Sequence, residues 1–176
     1  MQNYRFLVLM QLTILMAFTS SVHASPKIEH KQNGSFGVFE IVACSTTGSK
    51  SMVLQTKEGK PETYCIAPAP IVTRTHVKKA ENCPNSLGNP EVQVALTQDG
   101  AKLMEEATKR ISDKLETKGQ TTRLGIVMNG KLIDAPTVRG VIRDEFVVSG
   151  GISQGEADAL VMALGGSIGC RKVHVN

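Results

Sequence analysis

The sequence predicts an α+β domain, an antiparallel or mixed sheet with helices packed mainly on one face. Three observations carry this. Glu91 to Leu96 alternates, with Val92, Val94 and Leu96 on one face, the period of a half-buried strand. Met104, Ala107, Thr108, Ile111 and Leu115 recur at three- and four-residue spacing, the stripe of an amphipathic helix. Asn129-Gly130 sits between two short apolar runs, the pair a tight hairpin favours because both central positions need positive φ.

The chain opens with an export pattern. Arg5 gives a basic start, Phe6 to Phe18 is apolar apart from Gln11 and Thr13, and Val22-His23-Ala24 offers a cleavage site. The apolar run is shorter than the roughly 20 residues that span a bilayer. Residues 1–24 are therefore expected to be a cleaved signal peptide. The mature protein is then periplasmic or secreted, without stable membrane insertion. Residues 25–35 read as a flexible lead and 36–176 as a single domain.

Phe36 to Cys44 is apolar and β-rich, hence a first strand. Thr46 to Lys50 turns, and Ser51 to Thr56 is a second strand. Glu58-Gly59-Lys60-Pro61 turns again, and Thr63 to Ala67 is a third. Pro68 and Pro70 end it. Thr73 looks like the N-cap of a short helix through Glu81, with Val77 and Ala80 inward. Cys83 to Pro90 is a loop and Glu91 to Leu96 a strand. Thr97 caps the long helix, with Asp99 in its first turn, where negative charge suits the dipole. Gly119 ends that helix. Arg123 to Met128 and Lys131 to Asp134 form the hairpin, closed by Ala135-Pro136. Phe146 to Ser149 is a strand ended by Gly150-Gly151. Ser153-Gln154-Gly155-Glu156 is a capping box opening the last helix, which runs to about Leu164 and stops at Gly165-Gly166. Cys170 to Val175 reads as a final strand.

Composition excludes some function classes. Aromatics are 4% of residues and Trp is absent, so Val, Ile, Leu, Ala and Met must build the core. The formal charge is +4, and no Lys/Arg cluster is interleaved with aromatics, so nucleic acid is not expected as a partner. Cys44, Cys65, Cys83 and Cys170 make an even set in an exported chain, so disulfides are expected rather than a metal. Four cysteines permit three pairings. The expected one joins Cys44 to Cys170, tying the first strand to the last, and Cys65 to Cys83, closing a loop over the short helix.

Several stretches taken together resemble a known family. Val94 to Lys109 (VALTQDGAKLMEEATK), Leu124 to Val138 (LGIVMNGKLIDAPTV) and Val147 to Gly166 (VVSGGISQGEADALVMALGG) are similar to three successive motifs of the head subdomain of the first periplasmic domain of SecD/SecDF. Tyr64 to Glu81 resembles the segment before them, so the likeness covers about residues 64–166. It implies the SecD head-like fold. It also implies structural roles for Thr97, Gly100, Asn129, Gly130, Ala135, Pro136, Gly150, Glu156 and Ala157. One departure is Ile152, where the family usually has an aromatic.

Catalytic constellations are not expected. His30 falls in the lead, His174 near the end and His76 in the short helix. H-E-x-x-H and a P-loop are absent from the sequence. No cofactor and no metal is expected. With the resemblance, the expected function is that of a non-enzymatic periplasmic binding or accessory module. Its partner is an exported or unfolded polypeptide, or an envelope protein, met through an exposed strand edge. The alternative is a secreted inhibitor, acting through the Cys83 to Pro90 loop, or a small hydrolase on the same fold.

Overall fold

A computed structural model describes residues 35–56, 59–118, 123–149 and 151–169, with only the backbone of 114–118. These residues all fall in one unit of the chain, Gln32–Asn176. The signal segment 1–24, the lead up to residue 34, Gly119, Gly150, Cys170 and the expected strand at Cys170 to Val175 lie outside the described residues.

Ten strands and two helices follow in the order β1 (Phe36–Val42), β2 (Lys50–Gln55), β3 (Pro61–Ile66), β4 (Val72–Thr73), β5 (Val77–Asn82), β6 (Val92–Leu96), α1 (Gln98–Lys118), β7 (Leu124–Met128), β8 (Lys131–Asp134), β9 (Glu145–Val148), α2 (Gln154–Ala163) and β10 (Ser167–Ile168). The strands divide into two sheets. The first runs β2-β3-β1-β7-β8, with β4 also on β1, and the second runs β10-β5-β6-β9. Among the described residues only the β10–β5 pairing is parallel.

β1 organises the first sheet. One edge pairs with β7 from Phe36↔Met128 to Glu40↔Leu124. The other takes β4 at Gly37↔Thr73 and Val38↔Val72, then β3 at Ile41↔Ile66 and Val42↔Cys65. Pro68 and Pro70 fall where the chain leaves this edge between β3 and β4. Alternation sends Phe36 and Val38 to one face and Phe39 and Ile41 to the other. The sheet curls until β2 and β8, its two ends, approach each other. The curl closes over a small core of Met52, Ile66, Val127 and Leu132. Gly125 faces this core, where a Cβ would lie 3.1 Å from Ile66 and 3.2 Å from Leu132.

The main core lies on the other face. It gathers Leu124, Ile126 and Met128 of β7, Val92, Val94 and Leu96 of β6, Met104 and Ile111 of α1, and Leu160 and Val161 of α2. Both helices reach this core, and no helical residue belongs to the small one. The α1 stripe is as expected at Met104, Ala107, Thr108 and Ile111, all buried.

Two expectations are corrected. The short helix from Thr73 is a single 3-10 turn, Arg74–His76, which runs straight into β5. A register shift between Val77 and Lys79 places two consecutive residues outward. Val77 and Ala80 are therefore buried three residues apart although they lie on a strand. The disulfide pairing also differs: Cys44 joins Cys65, with Cα atoms 5.1 Å apart. Because Cys65 faces Val42 in the ladder, Cys44 arrives beside it two residues later. Cys83 is disulfide-bonded as well. Cys170, the one remaining cysteine of the sequence, lies outside the described residues.

The second sheet meets the end of α2 at two glycines. Gly165 has φ +68° and lies against the Arg74 guanidinium, a cation placed at a helix C-terminus. At Gly166 a Cβ would fall on the carbonyl oxygen of Ala80 in β5. Gly166→Ala should therefore lower stability by about 2 kcal/mol or more in urea unfolding. Gly155→Ala, where an added Cβ meets nothing within 4 Å, should be neutral or raise stability by up to about 1 kcal/mol. Equal losses at both sites would reject close approach as the reason.

Peptide mapping without reductant should yield a linked Cys44–Cys65 pair. Replacing both by Ala should cost about 3 kcal/mol on the chain-entropy account. Recovery of a Cys44–Cys170 peptide instead would contradict the ladder register.

Candidate functional site

The free edge of the second sheet is built from a short sequence, Glu145-Phe-Val-Val148. Val148 is fully buried and Phe146 half-buried against the main core, so Glu145 and Val147 must point to the opposite face. That face carries Lys79 and Glu81 of β5 and Gln93 and Ala95 of β6. The ladder aligns them in two rows, Glu81–Gln93–Val147 and Lys79–Ala95–Glu145. Ala95, the smallest of the six, forms the floor of a concavity of about 320 Å³. Val147 stays 48% exposed there, high for a valine within a strand.

The hydrogen-bond phase decides which backbone groups remain available. Leu96 N–H donates to Asp144 O at 2.8 Å. Bonded pairs alternate in an antiparallel ladder, so Phe146 and Val148 also turn their polar groups toward β6. The N–H and C=O groups of Glu145 and Val147 therefore point away from β6. Among the described residues no strand pairs with them. The segment leading into β9 is fixed to α1. Ile142 N–H donates to Thr108 Oγ1 at 2.9 Å, and the Thr108 hydroxyl donates to Met104 O at 2.7 Å. Arg143 adds an ion pair to Glu105 at 3.0 Å. The edge is thus presented on a held strand.

The motif residues singled out in the sequence lie elsewhere and hold the frame. Thr97 N–H donates to His76 O at 2.8 Å, and its hydroxyl accepts from Gly100 N–H at 3.2 Å. A Cβ on Gly100 would lie 2.7 Å from His76 O, so α1 seats directly on the 3-10 turn. Asn129 and Gly130 have φ 52° and 76°, the left-handed pair of the β7–β8 turn. Ala135 is buried, its carbonyl accepting from Arg123 Nη1 at 2.8 Å, and Pro136 O accepts from Leu124 N–H at 3.0 Å. Ala157 is fully buried in α2. None of these residues lines the concavity, and sequence reasoning missed Lys79, Gln93, Ala95, Glu145 and Val147.

Other polar groupings have structural uses. Arg123 lies over the Tyr64 ring, 5.8 Å from its centroid, while Tyr64 OH bonds Glu62. That bond to Glu62, followed by burial, raises the Tyr64 pKa. Burial raises the Asp134 pKa, opposed by the Ala135 N–H and by Arg123. His76 accepts the Thr73 N–H at Nδ1, 3.0 Å away, and so locks the 3-10 turn. In the loop after Cys83, Asn85 Oδ1 accepts from Leu87 N–H and Asn89 N–H, each at 3.0 Å. This ordered turn leaves Leu87 83% exposed. Among the described residues no helix is long and apolar enough to cross a membrane, and no three His, Cys, Asp or Glu side chains gather as a metal site.

Known proteins share this fold. The family described as SecDF, P1 head subdomain, matches residues 50–168. The match reaches further at both ends than the resemblance at 64–166. The protein translocase subunit SecD of Aquifex aeolicus (strain VF5) is 28% identical over 112 residues, 64% of this chain. The chain spans only 21% of that subunit's length. A solved structure of a membrane component SecDF that enhances protein export superposes with TM-score 0.53 at 20% identity, over 74% of this chain and 61% of the other. SecDF in its super-membrane-facing form gives the same TM-score and identity, over 75% of this chain and 18% of the other. At this identity the two structures share the fold.

The capping box of α2 yields a pH test. Glu156 Oε2 accepts from Ser153 N–H at 3.0 Å, and Ser153 Oγ accepts from Glu156 N–H at 3.3 Å. The Ser153 N–H lowers the Glu156 pKa, burial opposes it, and Lys131 at 3.2 Å adds to the lowering. A depressed carboxylate stabilises the fold above its unfolded pKa of about 4.3, and this is lost as pH falls through the lower folded value. Glu156→Gln should be less stable than wild type at pH 7, with the difference gone well below the carboxylate range. Ser153→Ala should cost about 1 kcal/mol near neutral pH. Denaturant unfolding at several pH values reads both, and a pH-independent Gln deficit would rule out the charge as the cause.

Proposed function

Since the chain belongs to the SecDF P1 head subdomain family, we propose that it is a periplasmic accessory module of protein export, which holds extended segments of exported or unfolded polypeptide along β9. One observation carries this reading: the backbone groups of Glu145 and Val147, which no strand pairs among the described residues, beside a shallow, partly apolar concavity. An extended chain joins such an edge by main-chain hydrogen bonds, which are the same for every sequence. That suits a module meeting many different clients. The export pattern in residues 1–24 and the Cys44–Cys65 disulfide support an oxidising compartment outside the cytoplasm. The role is binding rather than catalysis. The translocase kinship and the structural use of His76 both favour that.

A second reading draws on the ordered turn that presents Leu87. A rigid loop with an apolar tip is the form in which an inhibitor meets the pocket of a folded partner.

A proline on the edge separates the two. The N–H of Val147 points away from β6, so Val147→Pro removes a donor needed by an added strand and spares the ladder. NMR titration with extended peptides from exported proteins should give shifts along β9 at roughly millimolar peptide. Val147→Pro should abolish them while the thermal midpoint stays within a few degrees. Leu87→Ser should leave them intact. Unaltered binding in the proline variant, or its loss in Leu87→Ser, would turn the assignment away from β9.

A further inference from the structure

The charges around β9 are unevenly satisfied. On the concave face Lys79 Nζ pairs with Glu81 at 2.8 Å. At the approach to β9 the Arg143 guanidinium pairs with Glu105. Glu145 is exposed on the same face, and among the described residues no basic side chain stands within ion-pair distance of it. Asp144, exposed just before it, adds a second negative charge at this end of the strand. Two residues on, Val147 offers apolar surface on the same face. Between them Phe146, half-buried, packs against the main core on the other.

A strand laid along this edge brings its side chains to about 4.5–5.5 Å, Cβ to Cβ, from those of β9. One of its residues then stands beside Glu145, and one two positions away stands beside Val147. The residue between them points to the other face and lies over Phe146. We propose that Glu145 makes the β9 edge selective for extended polypeptide carrying a lysine or arginine two positions from an apolar residue. Glu145 is the specificity-determining residue, and the backbone groups beside it supply affinity that does not depend on sequence. The proposal rests on the polypeptide-binding reading of β9 and adds a charge rule to it.

The test uses the full chain and a set of eight-residue Thr/Val peptides, each with one Lys, Gln or Glu two positions from a Val. An exposed ion pair in this setting corresponds to about a two- to five-fold preference. The Lys peptide should bind that much more tightly than the Gln peptide, and the Glu peptide more weakly. The preference should shrink in about 1 M salt, where the Debye length falls to about 3 Å. Glu145→Lys should invert the order, and Glu145→Gln should level it. If all three peptides bind wild type equally, or if the Lys preference survives Glu145→Lys, the charge rule is overturned while polypeptide binding stands. If no peptide shifts the β9 resonances at millimolar concentration, the binding reading fails and takes the rule with it. Sedimentation showing a second copy seated on this edge, released by Val147→Pro, would overturn it as well.

Discussion

β7 delivers side chains into two cores at once. All five of its residues are buried, with Leu124, Ile126 and Met128 on the helix side and Val127 in the small core. A strand covered on both faces must find apolar cover for each, and the two covers are made differently. On one side two helices and the second sheet close over it. On the other the β2–β3 hairpin curls round and brings Met52 and Ile66 down onto Val127 and Leu132. Gly125 is the position where this second cover comes closest, because a side chain there would push against both Ile66 and Leu132. The Cys44–Cys65 bridge acts at the same place from outside. β1 and β3 pair at only two register positions, and the disulfide fixes the end of that short ladder.

Local signals in the sequence were read well where local geometry decides. The α2 capping box, the Asn129-Gly130 turn and the buried stripe of α1 each depend on residues within one or two turns of one another. β5 was misread for a definable reason. Its bulge spaces Val77 and Ala80 three apart, which is also the spacing of a helix face, and Lys78-Lys79 supply the expected polar break. The cysteine pairing failed because loop length says nothing about which strands are neighbours. Only the adjacency of β1 and β3 makes Cys44 and Cys65 partners.

The candidate site was not legible for a related reason. Whether a strand lies at an edge is a property of the sheet order, not of its own residues. β9 meets a strand about fifty residues earlier in the chain, and among the described residues no strand takes its far side. The family motifs mark places where the backbone is tight: Gly100 under α1, Gly166 against β5, the left-handed pair at 129 and 130. Such positions constrain the frame and leave the exposed face free to vary, so reading them identifies the fold before it identifies the surface.

The pairing of β10 with β5 has a consequence for the order of events in folding. β5 waits for a partner about 86 residues further along, since Glu81 aligns with Ser167. A chain that emerges from its N-terminus during synthesis presents β5 and β6 as a bare hairpin until β9 and β10 have emerged. Such non-local closure is slow and leaves strand edges open meanwhile. β1, β2 and β3 lie within about thirty residues and are stapled by one disulfide. Those three strands can pair early, but their sheet stays open until β7 and β8 supply Val127 and Leu132, and the second sheet completes later still, when the last part of the chain has arrived.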